Sequence, residues 1–165
     1  MSNKSTTGSQ LFALLEGTWE GEGRGQYPTI NSFDYRETLI FTRRDEKSLA
    51  YDQRAQKRYD GQTEYLVSHW ENGFIRILEN DELELVNTQG SGRIEVLIGT
   101  IEMVDTLIRI HFVSKGLTND SRVVSSARIF ELEGDTIRYE MEMQTTEINR
   151  LTQHLKITLH PIKRG

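Results

Sequence analysis

Apolar and polar residues alternate along most of this chain, most clearly in FDYRETLIF from Phe33 to Phe41. Phe33, Tyr35, Leu39 and Phe41 fall on one side, and Asp34, Arg36 and Thr38 on the other, the period of a half-buried strand. Glu37 alone interrupts the apolar side. The segments SLAYDQRAQKRY, TEYLVSHW, FIRILE, LELVNTQ, RIEVLIGTIEM, TLIRIHFVSKG, VVSSARIFELEG, TIRYEMEMQTT and HLKITLHPI read the same way. The connections between them are short, and several carry turn residues, as in YDGQ, ENDE, QGSG and LEGDT. Ahead of the strands, LFALLEG supplies one or two apolar helical turns with Gly17 as a natural stop. Residues 1–10, MSNKSTTGSQ, are small and polar and read as a disordered tail.

The pattern predicts an all-β domain over residues 11–165, an antiparallel meander of about ten strands with one short helix before it. A flat sheet of that width leaves two edges to protect, and closure into an up-and-down β-barrel removes both. A barrel of that size can keep interior space, so the fold class itself points to a ligand. The short N-terminal helix would cap one end. In GTWEGEGRGQYPTI, from Gly17 to Ile30, the glycines let the backbone bend and pass close to a neighbour, and Trp19 is expected at the closed end of the barrel. GEGRG is not a dinucleotide fingerprint, because it lacks the final spacing and no helix follows it.

Composition narrows the function classes. The 165 residues are 36% apolar and 27% charged, with no apolar run of membrane-spanning length, and no membrane association is expected. The net charge of -5 argues against a nucleic-acid partner, which would require clustered Lys and Arg. The chain has no cysteine, which removes disulfides, thiolate metal sites and a cysteine nucleophile and fits the cytoplasm.

Four blocks in order, GTWEGEGRGQYPTI with FDYRETLIF, then SHWENGFIR, GRIEVLIG and MQTTEINRLTQHLKITL, resemble the nitrobindin family, haem-binding barrels related to fatty-acid-binding proteins and lipocalins. The likeness runs from about Leu11 to about Leu159. It implies a haem b in the barrel mouth, with His154 of TQHL as axial iron ligand and His69 on the distal side. It also implies that Thr29 of Tyr-Pro-Thr lines the haem site. Tyr139, Met141 and Met143 share one face by alternation and would suit a porphyrin wall. The activity implied is conversion of peroxynitrite to nitrate at a ferric haem, with nitric oxide as a further small-molecule ligand, in a monomer or homodimer.

The residues themselves leave this reading open. Of the 4 histidines, His111 is in phase with Arg109 and reads as solvent-facing. His154 and His160 stand about 20 Å apart on a regular strand and cannot share a metal. By phase His154 falls with Lys156 and Thr158, opposite the apolar Leu155, Ile157 and Leu159, and so reads as a surface residue unless a bulge or loop turns it inward. His69 is in phase with Val67 and Glu71. The alternative function is an intracellular carrier of a fatty acid or other apolar ligand, without haem. Such a carrier needs a buried cation, for which Arg76, Arg93, Arg128 and Arg138 are candidates. Each of these arginines sits beside polar neighbours or a turn, and none is singled out.

Overall fold

The computed structural model describes residues 8–162. Among the described residues one helix, α1 (Gly8–Leu15), precedes ten strands: β1 (Gly17–Tyr27), β2 (Ile30–Arg43), β3 (Ser48–Tyr59), β4 (Leu66–Ile77), β5 (Leu83–Gln89), β6 (Ile94–Val104), β7 (Leu107–Thr118), β8 (Val123–Glu133), β9 (Thr136–Thr145) and β10 (Thr152–Pro161). Each strand pairs antiparallel with its sequence neighbours, and β1 pairs with β10, so the sheet closes into an up-and-down barrel with no free edge. The expected tail falls mostly on residues 1–7, which lie outside the described residues; residues 8–10 already belong to α1. The two expected segments TEYLVSHW and FIRILE form one strand, β4, because Glu71 to Gly73 pair without interruption with β3 and β5.

The closed end is built from apolar surface. Leu11, Phe12 and Leu15 form the buried stripe of α1, spaced as one helical face, and meet Leu39, Phe41, Leu49 and Leu83 from the strands. Trp19 is buried here as the sequence predicts, and its indole Nε1 donates to the carbonyl of Leu15 at 2.8 Å, satisfying a group the helix end leaves unpaired. The glycines that follow it serve close packing. A Cβ on Gly21 would stand 2.0 Å from the Thr158 carbonyl oxygen, and one on Gly25 would strike the Phe33 ring at 2.1 Å. The inward side of β1 therefore contributes only Trp19 and Tyr27 as buried side chains, and Phe33 fills the space above Gly25.

Above the apolar layer the interior changes character. Inward positions carry Glu37, Gln53, Glu71, Asn87, Gln89, Glu95, Ser126 and Arg128, all buried. Arg128, 1% exposed, grips Glu71 with both terminal nitrogens and reaches Glu95 at 2.7 Å. Glu95 accepts further bonds from Asn87 and Gln89 at 3.1 Å and from Ser126 at 3.0 Å. Tyr51 donates to Glu71 at 2.9 Å. A buried charge pair is tolerable only when its remaining lone pairs are met in this way.

Candidate functional site

Two backbone irregularities set the histidines. On β10, Thr152 and Gln153 pair with Met143 and Glu142, and Leu155 pairs with Met141, so His154 is the extra residue of a bulge. Leu155, Ile157 and Leu159 hold the inward register beyond it, as alternation predicts. The bulge releases His154 from that register and turns its ring toward the mouth, where it meets Tyr27 and Phe33 edge-on at centroid distances of 5.7 and 6.2 Å. The surface placement given by phase alone is thereby corrected. On β4 the register shifts at Ser68: Val67 pairs with Gln56 and His69 with Ala55. Val67 is thrown outward, while His69 keeps step with the buried Glu71.

Both histidines line one cavity of about 280 Å³, with Phe33 and Ala55 on one wall and Met141 and Met143 on another. A second compartment of about 370 Å³, lined by Tyr27, Thr29, Ile30, Arg93 and Met143, opens on the same His154, which stands between the two. Of the residues the sequence singled out, the fold thus brings His154, His69, Met141 and Met143 together. Tyr139 lies one layer deeper, 1% exposed and packed on Phe130 at 4.7 Å, and does not line the cavity. Thr29 is exposed at the rim and lines only the second compartment. His111 and His160 are exposed on the outer surface.

The nitrogens of the two rings differ in what they can offer. His154 Nδ1 lies 3.2 Å from the Gln26 carbonyl oxygen, an acceptor, so Nδ1 carries the proton and donates. Nε2 has no hydrogen-bond partner among the described residues and keeps its lone pair. Burial, joined by the positive charge of Arg93, lowers the pKa of this imidazole below the usual histidine value against the opposing Gln26 bond, and the ring is neutral at neutral pH. His69 Nε2 lies 3.0 Å from Glu71 Oε2. Burial would raise the Glu71 carboxyl, but the Arg128 charge and the bonds from His69 and Arg128 override it and hold Glu71 ionised, well below the carboxylate range. An ionised carboxylate only accepts, so His69 donates through Nε2, and its Nδ1 is the nitrogen left for other contacts.

The buried belt behind His69 is what the sequence reading missed. Arg128 was one of several arginines with no distinguishing neighbour, yet it shares the inward phase of Phe130 and Leu132 on β8, a signal present in ARIFELEG. Glu37 stood out only as a break in an apolar face; it is inward and 2% exposed. Arg93 is also buried, at the mouth, 3.6 Å from both Glu95 and Asp120. Arg76 and Arg138 pair with carboxylates on the outer surface.

Fold and site together define a ligand-binding barrel with an imidazole at its mouth. A family model described as "THAP4-like, heme-binding beta-barrel domain" matches residues 9–160, and the chain belongs to this family, the nitrobindins. It is 36% identical over 152 residues to peroxynitrite isomerase 1 of Mycolicibacterium paratuberculosis, covering 90% of this chain and 91% of that one. It is 37% identical over 151 residues to the peroxynitrite isomerase of Nocardia farcinica, covering 90% and 87%. The crystal structure of Rv2717c from M. tuberculosis superposes with a TM-score of 0.82 at 28% identity, over 96% of this chain and all of that one. No described helix is long and apolar enough to cross a membrane.

Proposed function

We propose that this protein binds haem b through His154 and converts peroxynitrite to nitrate in the cytoplasm, with nitric oxide as a second ligand. The observation that carries the reading is the His154 ring: inward, neutral, oriented through Nδ1 by a backbone carbonyl, and with Nε2 unspent at a cavity wall. That arrangement suits an imidazole that would hold a metal, since the second nitrogen's bond fixes the tautomer and the ring angle. Among the described residues no group of three or more His, Cys, Asp or Glu could hold a bare ion, so a lone imidazole suits an iron that brings its own equatorial ligands. When bound, haem supplies an open coordination position and one-electron chemistry at the iron. The chain supplies the rest. Met141, Met143 and Phe33 give apolar walls, Tyr139 supports them from below, Thr29 stands at the rim, and His69, held by Glu71, would serve the distal side of the bound haem.

The fatty-acid carrier reading loses its main support. Among the described residues the two buried arginines are each matched by two carboxylates, Arg128 by Glu71 and Glu95 and Arg93 by Glu95 and Asp120 at 3.6 Å, which leaves neither as an unmatched cation for a ligand carboxylate. The test of the proposal is stopped-flow peroxynitrite decay with hemin-loaded and hemin-free protein, alongside nitrate yield and nitration of free tyrosine. Faster decay, more nitrate and less nitration with the loaded protein alone are expected. Equal decay for both forms contradicts the isomerase assignment.

A further inference from the structure

Below the two histidines the cavity ends on polar groups to which the proposed haem site assigns no role. Glu37 is 2% exposed and neither of its carboxyl oxygens has a protein hydrogen-bond partner; the Tyr35 hydroxyl, on a residue 1% exposed, has none either. Both line the cavity, with Gln53 between them and β4. The Gln53 amide lies close enough to favour an ionised Glu37, yet the pair does not reach hydrogen-bond geometry. Glu37 stands two inward positions below Phe33 on β2, about 13 Å along the strand and well below the rim where His154 meets Phe33. Groups of this kind, buried with no partner, cost about 1–3 kcal/mol each unless a ligand or solvent meets them.

The charges around this floor exclude ions. Arg128 is the buried cation whose charge reaches Glu37, and Glu71 and Glu95 already match it; Arg93, which also lines the cavity, stands at the mouth between Glu95 and Asp120, 3.6 Å from each. Lys57 stands one layer higher, over the Phe33 and Tyr59 rings at the mouth. Tyr35, Tyr51 and Tyr139 all stay un-ionised, raised chiefly by burial. Burial, reinforced by Glu71 and opposed by Gln53 and Arg128, pushes Glu37 up to about 8, so at neutral pH it is a carboxylic acid with one O–H donor and a free acceptor.

We propose that Glu37, Tyr35 and Gln53 form a charge-neutral subsite for an uncharged molecule with a short apolar body and a hydroxyl head. The head exchanges hydrogen bonds with the Glu37 carboxyl and the Tyr35 hydroxyl, and the body lies against Ala55 and Met141. A carboxylate head would meet no free cation here. An ammonium head would have to take the Glu37 proton's place and be buried with its charge, a desolvation that the ion pair barely offsets. The subsite does not depend on haem.

A ligand-observed NMR titration of the porphyrin-free full chain with hexanol, hexanoate and hexylamine at neutral pH tests this. Hexanol should bind at least about tenfold more tightly than either ion. Glu37→Gln, which keeps a neutral donor and acceptor, should retain hexanol within about threefold, and Glu37→Leu should weaken it about tenfold. Circular dichroism would confirm that both variants keep the barrel, and an apolar residue is tolerated where the polar group had no partner. Hexanoate or hexylamine binding as tightly as hexanol, no hexanol binding at all, or unchanged binding in Glu37→Leu would each overturn the proposal.

Discussion

At the closed end, Leu39, Phe41, Leu49 and Leu83 pack against α1, and Trp19 ties the helix end to the sheet. One or two inward positions further along β2 and β3, Glu37 and Gln53 replace them, and on β4 Glu71 stands two inward positions beyond the buried Ile75. The lower half is held by apolar area; the upper half is held by a hydrogen-bonded charge network that shapes the cavity and aims His69. The same alternation builds both walls, so the difference between the two layers lies in side-chain chemistry, to which the bulges at the mouth add the placement of the histidines. Both halves contribute to stability, but ligand chemistry lies above alone, and substitutions should separate the two.

The largest expected effect belongs to the upper half. Folded Glu37 holds its proton more tightly than the unfolded chain does, so its contribution is complete below about pH 4.5 and is lost as pH rises toward about 8. From 4.5 to about 8, at about 1.4 kcal/mol per unit, the loss approaches 5 kcal/mol. Urea unfolding across this range should show that decline in the parent and not in Glu37→Gln; parallel curves would place Glu37 in water. Glu71 runs the other way, since its lowered pKa makes its contribution present at neutral pH and lost in acid. Next comes Arg128→Leu, which strands Glu71 and Glu95 without their cation and should destabilise by about 3–5 kcal/mol. An effect under about 1 kcal/mol would show that the network is dispensable. Phe12→Ala at the closed end should cost about 3 kcal/mol through the cavity it leaves, while hemin affinity of the folded protein stays unchanged. Loss of hemin binding there would erase the division between the two halves.

That division was only half legible in the sequence. Alternation in FDYRETLIF and its successors is a direct imprint of the barrel wall, because each strand has one face in the core, and it located the strands, while the apolar turns of LFALLEG and the glycines around Trp19 pointed to the closed end. The site depends on departures from alternation. His154 points inward because a bulge adds one residue to β10, and a bulge is a pairing event between β9 and β10 that neither strand records alone. The family resemblance pointed to His154 where phase pointed away from it. Arg128 and its carboxylates are another case: each charge looks misplaced by itself, and their mutual satisfaction appears only when β4, β6 and β8 face one another across the interior.

The smallest structural change tests the central claim, that the bulge delivers His154 as the iron-holding imidazole. Hemin titration of the parent, His154→Ala and the outward control His160→Ala, followed by the Soret band and with the fold checked by circular dichroism, is the direct measurement. One-to-one binding with a histidine-ligated spectrum in the parent and in His160→Ala, and loss of that spectrum in a folded His154→Ala, is the predicted result. An unchanged Soret band and affinity in His154→Ala would contradict the account.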